Sequence, residues 1–369
     1  MTGPGSGSGV LGVDSGGSGL RVVLAVDGGR VTTPLTSREP VRTGPRGIDA
    51  GHLLEQLVPM ARRLMTDTEV GTLRAVTVGA AGLTTLGDAL RAELPSALAR
   101  ELGVRRLALV ADAVTAYTGA LGQRVGAVVA AGTGMIAIGT DLHEWRRADG
   151  WGHLLGDSGS GAWIGQAGLD AALRAYDRRP GGSVPLLARV EAVFGSAPAL
   201  PGQLYPRPDR PAVLASFAPE VAACADGGDP TAVGILAAAA RHIADSAAAV
   251  CPTAEEAGGA GEVSGEVPGE ICLALTGGLF KMGDPLLVPL RAALTDRLPH
   301  ARQVPAAGDP LDGAVGIAVE LADDRLTLPH DDSMLYVVRD AMDTADTMGT
   351  ADATDTATTT DNPSRDRSS

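Results

Sequence analysis

Residues 10–25 of the chain read VLGVDSGGSGLRVVLA, two apolar runs that are joined by a glycine-rich turn. Apolar runs separated by Gly, Ser and Asp are typical of two antiparallel strands connected by a tight turn. A third apolar run near Val31 follows the turn Asp27-Gly28-Gly29. The start of the chain is therefore predicted to be a three-stranded antiparallel meander.

The same order of elements recurs in the second half of the chain. A strand is predicted at 125–130, the turn Gly132-Thr133-Gly134 follows it, and a second strand is predicted at 135–139. Helical and extended patterns follow each start, with helices expected at 50–65, 86–102, 162–176, 185–194, 231–250 and 311–322, and strands at 75–78, 106–110 and 271–275. Pro59 is expected to kink or interrupt the first helix. The duplication predicts an α/β protein with two similar lobes.

The composition narrows the class of protein. The 369 residues fit two domains, and a hydrophobic content of 44% with 20% charged residues excludes a wholly disordered chain. The net charge of −14 argues against a nucleic-acid partner, which would require a basic face. The apolar runs are shorter than the ~18 residues of a membrane span, and the N-terminal residues lack the charge and apolar stretch of a signal peptide. We therefore expect a cytoplasmic protein without a membrane partner.

Two residue types are informative because they are scarce. Of the 30 basic residues, Lys281 is the only lysine. The three cysteines, Cys224, Cys251 and Cys272, are odd in number and far apart, which argues against a disulfide framework and against a CxxC metal site. We therefore expect free, buried thiols.

Three segments have the composition of flexible chain. Residues 1–8 are rich in Gly and Ser, and residues 253–269 (TAEEAGGAGEVSGEVPG) are predicted to be a mobile surface loop. The segment 329–369 is predicted to be a disordered acidic tail, because residues 331–369 hold nine Asp and three Arg. Much of the net negative charge would then lie outside the folded body.

Glycine-rich turns that follow predicted strands are the main indication of function. In Asp14-Ser15-Gly16-Gly17-Ser18 the glycines permit close approach of the backbone, so that amide groups could hold a phosphate beside a hydroxyl and a carboxylate. A carboxylate at that place would suit Mg²⁺. The Gly-Thr-Gly turn of the second half could hold a phosphate from the opposite side. Each turn taken alone is equally consistent with an ordinary hairpin.

The longest glycine-rich segment spans residues 150–161 and reads GWGHLLGDSGSG. Its last residues lead into a predicted helix, as an anion site at a helix N-terminus would. Asp157 lies among small residues, where an unpaired carboxylate could bind sugar hydroxyls. Trp151 could stack on a ligand ring or anchor the loop in the core. His153 could contact a ligand or be a structural histidine with satisfied hydrogen bonds.

Two further features complete the predicted site. Gly277 and Gly278 follow the strand predicted at 271–275, where adenine or ribose could lie against the backbone; the alternative is a plain strand-to-helix turn. Asp112 ends an apolar strand, and a carboxylate at the C-terminal end of such a strand points into a cleft. It could accept the proton of a substrate hydroxyl during phosphoryl transfer, or cap the next helix.

These turns, in this order and spacing, resemble those of the sugar kinase/Hsp70/actin superfamily, and in particular the N-acetylglucosamine kinases and the BadF/BadG-type ATPase family. The matching segments are VLGVDSGGSGLRVVLA (10–25), LVADAVTAY (109–117), VVAAGTGMIAIG (128–139), GWGHLLGDSGSGAWIG (150–165) and LALTGGLF (273–280). The resemblance implies two ribonuclease-H-like lobes, the actin-like ATPase fold, that close over ATP in an interlobe cleft. It implies a first lobe of residues 9–115 with a closing helix at about 311–323, and a second lobe of residues 116–310.

The resemblance also implies a role for each turn. Asp14 would be the carboxylate associated with Mg²⁺, and Asp112 would be the general base for the sugar 6-hydroxyl. The other implied contacts are Gly16, Gly17 and Ser18 for the first phosphate clamp, Gly132, Thr133 and Gly134 for the second, Gly277 and Gly278 for adenosine, and Gly150, Trp151 and Asp157 together with Asp112 for the sugar. ATP and Mg²⁺ are the implied cofactors, and an amino sugar is the implied substrate.

The sequence departs from the family pattern in three places. Ser158 stands where the family's sugar loop carries Glu, residues 38–48 lack the Asn of a sugar-contacting stretch, and Met135-Ile136 follows Gly-Thr-Gly in place of polar residues. These departures concern the identity of the sugar. The first hypothesis is phosphorylation of an amino sugar, foremost N-acetylglucosamine at its 6-hydroxyl, by a monomer or a homodimer. The alternatives are an ATPase that couples hydrolysis to a partner protein and a non-catalytic sugar or nucleotide sensor.

Overall fold

The computed structural model describes residues 7–17, 19–45, 47–259 and 270–339. Ser18, a residue of the implied first phosphate clamp, lies outside the described residues, as do residues 1–6, Arg46, 260–269 and 340–369. The predictions of a flexible N-terminus, a mobile loop and a disordered tail fall largely on those segments.

The secondary structure alternates between strands and helices. The strands, in chain order, are β1 (Gly7–Gly16), β2 (Gly19–Val26), β3 (Arg30–Val31), β4 (Leu35–Ser37), β5 (Thr43–Gly44), β6 (Gly47–Ile48), β7 (Val70–Ala80), β8 (Arg106–Ala111), β9 (Gly126–Ala131), β10 (Met135–Thr140), β11 (Trp145–Asp149), β12 (Ile271–Thr276), β13 (Ala301–Pro305) and β14 (Leu335–Arg339). The helices are α1 (Ala50–Thr68), α2 (Leu83–Leu86), α3 (Asp88–Leu102), α4 (Asp112–Leu121), α5 (Gly161–Tyr176), α6 (Val184–Phe194), α7 (Leu200–Leu204), α8 (Arg210–Ser216), α9 (Ala218–Asp226), α10 (Pro230–Val250), α11 (Ala254–Gly259), α12 (Asp284–Arg297) and α13 (Pro310–Ala322). Two 3₁₀ helices lie at Ala197–Ala199 and Gly278–Met282.

Two sheets carry the same strand order. The first runs β3-β2-β1-β7-β8, with β14 added beside β8 and β4 paired with β2, and the second runs β11-β10-β9-β12-β13. In each sheet the first three strands pair antiparallel and the later two pair parallel. We call the parts built around these sheets the first and the second lobe. The repeated order is the ribonuclease-H-like topology, so the predicted meander and the predicted duplication are confirmed.

The helices α4 and α13 form the contact between the lobes. α13 packs on β1, β7 and α4, and α4 also contacts β9, β10 and β12 of the second sheet. The chain approaches itself so closely here that a Cβ on Gly119 would lie 2.1 Å from the carbonyl oxygen of Asp309, and one on Gly313 would lie 2.0 Å from that of Thr115. Only glycine fits at these two positions. The two lobes are therefore joined by a tightly packed pair of helices.

Within the described residues, α10 is the one helix that is long and apolar enough to cross a membrane by length and composition. Its apolar face, with Leu236, Ala240, Ile243 and Ala247, is buried, and the helix packs against α9, α12 and β10. A core helix can have the same length and composition as a membrane span. In this fold α10 has the position of a core helix in the second lobe.

The C-terminal part of the described chain differs from the predicted disordered tail. β14 pairs antiparallel with β8, and Leu328 and Leu335 are buried. The indole Nε1 of Trp145 donates a hydrogen bond to the Pro329 carbonyl oxygen at 2.9 Å. The acidic composition hid a short apolar run, LYVV, that covers the edge of β8. The prediction is therefore wrong for residues 329–339.

Other local predictions differ from the structure. α1 continues through Pro59, so the alternative of an interrupted helix is wrong, and β1 begins at Gly7, inside the segment predicted to be flexible. The first part of the predicted loop 253–269 is the helix α11. Glu256 holds that helix against β11, because its carboxylate accepts two hydrogen bonds from the Arg146 guanidinium at 2.8 and 2.7 Å.

Candidate active site

The carboxyl ends of the parallel strands in both sheets face one cleft between the lobes. The cleft encloses a cavity of about 630 Å³. Its lining includes several residues that the sequence had indicated, namely Asp112, Gly132, Gly134, Gly150, Trp151, Asp157 and Gly277. The structure thus brings together the turn 132–134, the segment 150–161, the candidate base Asp112 and Gly277. After the roles that the resemblance implies, we call 132–134 the second phosphate turn, 150–161 the sugar loop and Gly277-Gly278 the adenosine turn.

A second cavity, of about 770 Å³, adjoins the first, and Gly132 lines both. Thr133 and Gly278 line this second cavity. The first glycine turn lines neither cavity. A Cβ added to Gly16 or Gly17 would meet no atom within 4 Å, so that turn is open. Two of the four glycine turns therefore meet where the two cavities join, and the first turn stands apart from both.

Asp112 is the first residue of α4 and follows β8 directly. Ala111 occupies the N-cap position, while Oδ1 of Asp112 accepts a hydrogen bond from the Ala113 amide at 2.9 Å. The side chain opens into the cleft, but the surrounding lobes restrict its hydration, and this desolvation raises the pKa of the carboxyl above its ordinary value. The Ala113 hydrogen bond and the Arg147 charge lower the pKa, whereas the Asp14 charge raises it. A raised pKa makes the carboxylate a better proton acceptor.

Arg147 is a cleft residue that sequence reasoning missed. It lies on β11, lines the cleft, and holds its guanidinium carbon 4.6 Å from the centre of the Trp151 ring. Its Nε donates to the Asp149 carbonyl oxygen at 3.1 Å, and its Nη2 donates to that of Gly150 at 2.8 Å. The signal in the sequence was its position three residues before the glycine-rich segment 150–161. Because β11 was not predicted, its side chain could not be assigned to a face.

Asp149 is a second residue that the sequence did not reveal. Its backbone is left-handed, with φ of 61°, and its carboxylate accepts hydrogen bonds from the amides of Asp157 at 2.5 Å and Ser158 at 2.8 Å. Gly156 leaves room for this carboxylate, since a Cβ there would lie 2.4 Å from Asp149 Oδ1. Asp149 therefore ties the two ends of the sugar loop together.

Asp157 is not the unpaired carboxylate that was expected. It is 8% exposed, and its Oδ1 accepts a hydrogen bond from the Gly152 amide at 3.0 Å. Burial raises the pKa of this carboxyl, while the Gly152 hydrogen bond lowers it. On its other side, a Cβ on Gly134 would lie 2.6 Å from Asp157 Oδ2. Asp157 thus joins the sugar loop to the second phosphate turn and keeps one edge in the cleft.

The N-terminus of α5 is not the anion site that was predicted. Its Gly161 amide donates to the Gly132 carbonyl oxygen at 2.9 Å, and its Ala162 amide donates to the Thr133 carbonyl oxygen at 3.0 Å. The N-cap hydroxyl accepts a hydrogen bond from the Trp163 amide at 3.2 Å. These helix amides hold the second phosphate turn in place and are not directed at a ligand.

The second phosphate turn itself keeps donors available. The Gly132 amide donates to the Gly134 carbonyl oxygen at 2.8 Å and closes the turn. Within the described part of the chain, the amides of Thr133 and Gly134 have no hydrogen-bond partner. Two adjacent amides and a threonine hydroxyl are a suitable set of donors for an anion.

Trp151 and His153 have environments that decide between the earlier alternatives. Trp151 is 63% exposed, which excludes the role of a core anchor and leaves its ring accessible at the cleft. The Nε2 of His153 is buried and has no hydrogen-bond partner among the described residues. This atom argues against the second alternative for His153, a structural histidine with satisfied hydrogen bonds.

Asp14 lies in an ion-pair network next to the cleft. Its Oδ2 accepts hydrogen bonds from Arg21 Nε at 3.1 Å and Nη2 at 2.6 Å, and Arg21 Nη1 also donates to Asp309 at 2.8 Å. Asp309 is the N-cap of α13, where the chain returns to the first lobe. Arg21 therefore connects the first glycine turn to the connection between the lobes.

The donor set fits Mg²⁺ bound together with a nucleotide. Oδ1 of Asp14 accepts no hydrogen bond from the described residues, and its charge acts on Asp112. In the described part of the chain no group of three or more His, Cys, Asp or Glu side chains forms a metal cage. Mg²⁺ commonly binds through one or two carboxylates, substrate phosphates and water. Asp14 is the residue that would hold it.

Two ribonuclease-H-like lobes with three glycine-rich segments lining the cleft between them are typical of the actin-like ATPase fold. Residues 11–318 match the BadF/BadG/BcrA/BcrD ATPase family, and the chain belongs to that family.

The chain is similar to proteins named as amino-sugar kinases. The N-acetylmuramic acid/N-acetylglucosamine kinase of Clostridium acetobutylicum is 29% identical over 181 residues, which are 46% of this chain and 55% of that protein. The chain thus matches about half the length of this curated relative. A structure from Chromobacterium violaceum, provisionally assigned as an N-acetylglucosamine kinase, has a TM-score of 0.56 and 26% identity, over 83% of this chain and 97% of that one.

A second solved structure supports the fold. The chain from Porphyromonas gingivalis, with the same provisional assignment, has a TM-score of 0.58 and 16% identity, and the match again covers 83% of this chain and 97% of the other. These likenesses confirm the predicted two-lobed fold.

Proposed function

We propose that the protein is an ATP-dependent sugar kinase that phosphorylates an amino sugar, foremost N-acetylglucosamine at its 6-hydroxyl. One observation carries this proposal. The carboxylate of Asp112 opens into a cavity that the second phosphate turn also lines, and Gly132 of that turn borders the second cavity as well. A sugar hydroxyl beside Asp112 and a nucleotide along Gly132 would meet at one place.

The chemistry needs one proton acceptor and a set of phosphate donors. The ionised Asp112 accepts the proton of the sugar hydroxyl, and the electron pair left on the sugar oxygen forms a bond to the γ-phosphorus. The bond from that phosphorus to the β–γ bridging oxygen breaks, and ADP is released. The Thr133 and Gly134 amides donate hydrogen bonds to the phosphate oxygens. Mg²⁺ at Asp14, when bound, neutralises phosphate charge.

The remaining cleft residues support a polar, cyclic substrate. The exposed Trp151 ring presents an apolar face of the kind that stacks on pyranose rings, and the Asp157 carboxylate offers acceptors to hydroxyl groups. Arg147 provides the one cationic side chain among the described residues that line this cavity. The names of the relatives, which include kinases of N-acetylglucosamine and N-acetylmuramic acid, favour amino sugars within this class.

A panel of sugars tests the proposal. ADP release is measured with N-acetylglucosamine, glucosamine, N-acetylmuramate and glucose, and phosphorus NMR of the product locates the new phosphate. We expect N-acetylglucosamine to give the highest kcat/KM and a 6-phosphate product. ATP hydrolysis that no sugar stimulates would favour an ATPase coupled to a partner protein. ATP or sugar binding without any turnover would favour a sensor.

We further infer that the cytoplasmic enzyme moves as two bodies. One body consists of residues 9–115 with the helix at 311–323, and the other consists of residues 116–310. The cleft between the two sheets supports this division, since sugar and ATP would contact both sides. Small-angle scattering with ATP and sugar should show a smaller radius of gyration than without them. An unchanged radius would contradict closure, and the same data would separate a monomer from a homodimer.

A further inference from the structure

Lys281 occupies a distinctive place in the second cavity. It is the only lysine of the chain, and it lies on the 3₁₀ helix Gly278–Met282, directly after the adenosine turn. Its side chain is exposed and lines the cavity. Among the described residues no carboxylate or other acceptor contacts its ammonium group. The charge of Lys281 is therefore free to meet a ligand.

The walls of this cavity differ in chemistry. Gly132 and Thr133 of the second phosphate turn and the cationic Lys281 line the same cavity. Most of the other lining side chains are small or apolar and include Ala212, Ala215, Ala218, Ala222, Leu279 and Met282. Asp226 is the only carboxylate among the described lining residues, and it does not pair with Lys281. An apolar floor with a cation beside a phosphate turn is suited to a nucleoside that carries a charged phosphate chain.

Electrostatics favours a cation at this place. The chain has a net charge of −14, and a nucleotide triphosphate is itself a polyanion. The amides of Thr133 and Gly134 are neutral donors. Lys281 is the only cationic side chain among the described residues that line this cavity. An ammonium group on a flexible stem can follow a phosphate chain as a mobile point charge.

We propose that Lys281 is a nucleotide-binding residue whose ammonium group contacts the phosphate chain of ATP, in the cavity that the Gly132–Thr133 turn also lines. The inference rests on the proposed use of ATP and adds a residue and an orientation to it. The base and ribose then lie over the apolar floor, and the phosphate chain runs towards the first cavity and Asp112.

The single lysine allows a direct chemical test. An acyl phosphate of ATP transfers its acyl group to a nearby amine, forming an amide and releasing ATP. Peptide mass spectrometry should find the acyl group on Lys281, and a tenfold excess of ATP should suppress it. Absence of the label in a protein that binds ATP by calorimetry would overturn the proposal. Labelling that ATP does not suppress would also overturn it.

A second reagent distinguishes a lysine beside the phosphate chain from a lysine beside the ribose. Periodate-oxidised ATP carries its reactive aldehydes on the ribose. A label on Lys281 from this reagent, with none from the acyl phosphate, would place the amine beside the ribose and contradict the phosphate contact.

Variants give an independent measurement. Lys281→Met should weaken ATP binding about tenfold, with the KM for the sugar unchanged, whereas Lys281→Arg should bind ATP within about threefold of the parent. Arg291→Met, which removes an exposed cation from α12, is the matched control and should bind ATP normally. Equal ATP affinity of Lys281→Met and the parent would refute the contact between Lys281 and the phosphate chain and leave the kinase proposal standing. Failure of the parent protein to bind ATP would refute the kinase proposal as well.

Discussion

The carboxylate of Asp149 accepts a hydrogen bond from the backbone amide of Asp157 at 2.5 Å. The Asp157 carboxylate in turn accepts the amide of Gly152 at 3.0 Å. Each carboxylate therefore fixes the backbone of the segment that carries the other. The sugar loop is held in its shape by its own chain before any ligand binds, which reduces the ordering that a substrate must induce.

Changes at Asp149 should loosen this loop in a graded manner. Asn offers one acceptor oxygen and leaves one of the two amides unpaired, whereas Gly leaves both unpaired. Each buried amide without a partner costs about 1–3 kcal/mol. Urea unfolding should therefore rank the parent above Asp149→Asn, and Asp149→Asn above Asp149→Gly, with the sugar KM rising in the same order. Gly also relieves the left-handed backbone at this position and offsets part of the loss. Unchanged stability and sugar KM of Asp149→Asn would therefore show that the carboxylate is dispensable.

Gly134 should not tolerate a methyl group. A Cβ there would lie 2.6 Å from Asp157 Oδ2, so Gly134→Ala must displace either the sugar loop or the phosphate turn. Overpacking of this kind costs about 1–3 kcal/mol. We expect a lower melting temperature and a higher KM for both substrates.

Gly234→Ala is the control for that substitution. A Cβ on Gly234 meets no atom within 4 Å, and the residue lies inside α10, where Ala is favoured over Gly by about 0.5–1 kcal/mol. This variant should be as stable as the parent or more so, with unchanged kinetics. Identical behaviour of the two variants would contradict the contact between Gly134 and Asp157.

Asp112→Asn should remove the general base and leave the fold intact. Asn can still accept the hydrogen bond from the Ala113 amide, so α4 should begin normally. A positioned base contributes about 10²–10⁴-fold to the rate, and kcat should fall by that factor while the Kd of ATP stays within about twofold. Steady-state kinetics and calorimetry measure the two quantities. A kcat above a tenth of the parental value would eliminate Asp112 as the base.

Arg147 should control the pH dependence of the reaction. In the proposed mechanism activity requires the ionised Asp112, so it should be lost as the pH falls through the raised pKa of that carboxyl. The Arg147 charge lowers this pKa, and Arg147→Gln should therefore move the acidic limb of the kcat profile to higher pH. Arg147→Lys retains the charge and should leave the limb close to that of the parent. A limb that moves to lower pH in Arg147→Gln would contradict this electrostatic link.

The features that the sequence predicted are those encoded locally. An apolar strand followed by glycines identifies its turn without knowledge of the rest of the fold, which is why the turns at Gly132 and Gly277 could be recognised. The position of Asp112 followed from the same rule, as it comes directly after an apolar strand. The repeat of strand, turn and strand then indicated the two lobes.

The features that escaped prediction depend on distant partners. The α5 amides bind carbonyl oxygens of a turn from an earlier part of the chain, so the small residues before the helix gave a misleading indication of an anion site. Asp149 and Arg147 lie on β11, whose polar sequence WRRAD lacks an alternating pattern. Likewise, β14 pairs with the edge strand β8, and the composition of residues 329–339 gives no information about that distant partner.

The close packing of α13 on β1 has a consequence for the order in which the two lobes are completed during synthesis. The second sheet is complete once residue 305 has been synthesised, whereas the first sheet receives α13 and β14 only from residues 310–339. A Cβ on Gly12 of β1 would lie 2.7 Å from a methyl carbon of Val315, so the centre of the first sheet is covered by that late helix. On the ribosome, the lobe that begins first is therefore the lobe that is finished last.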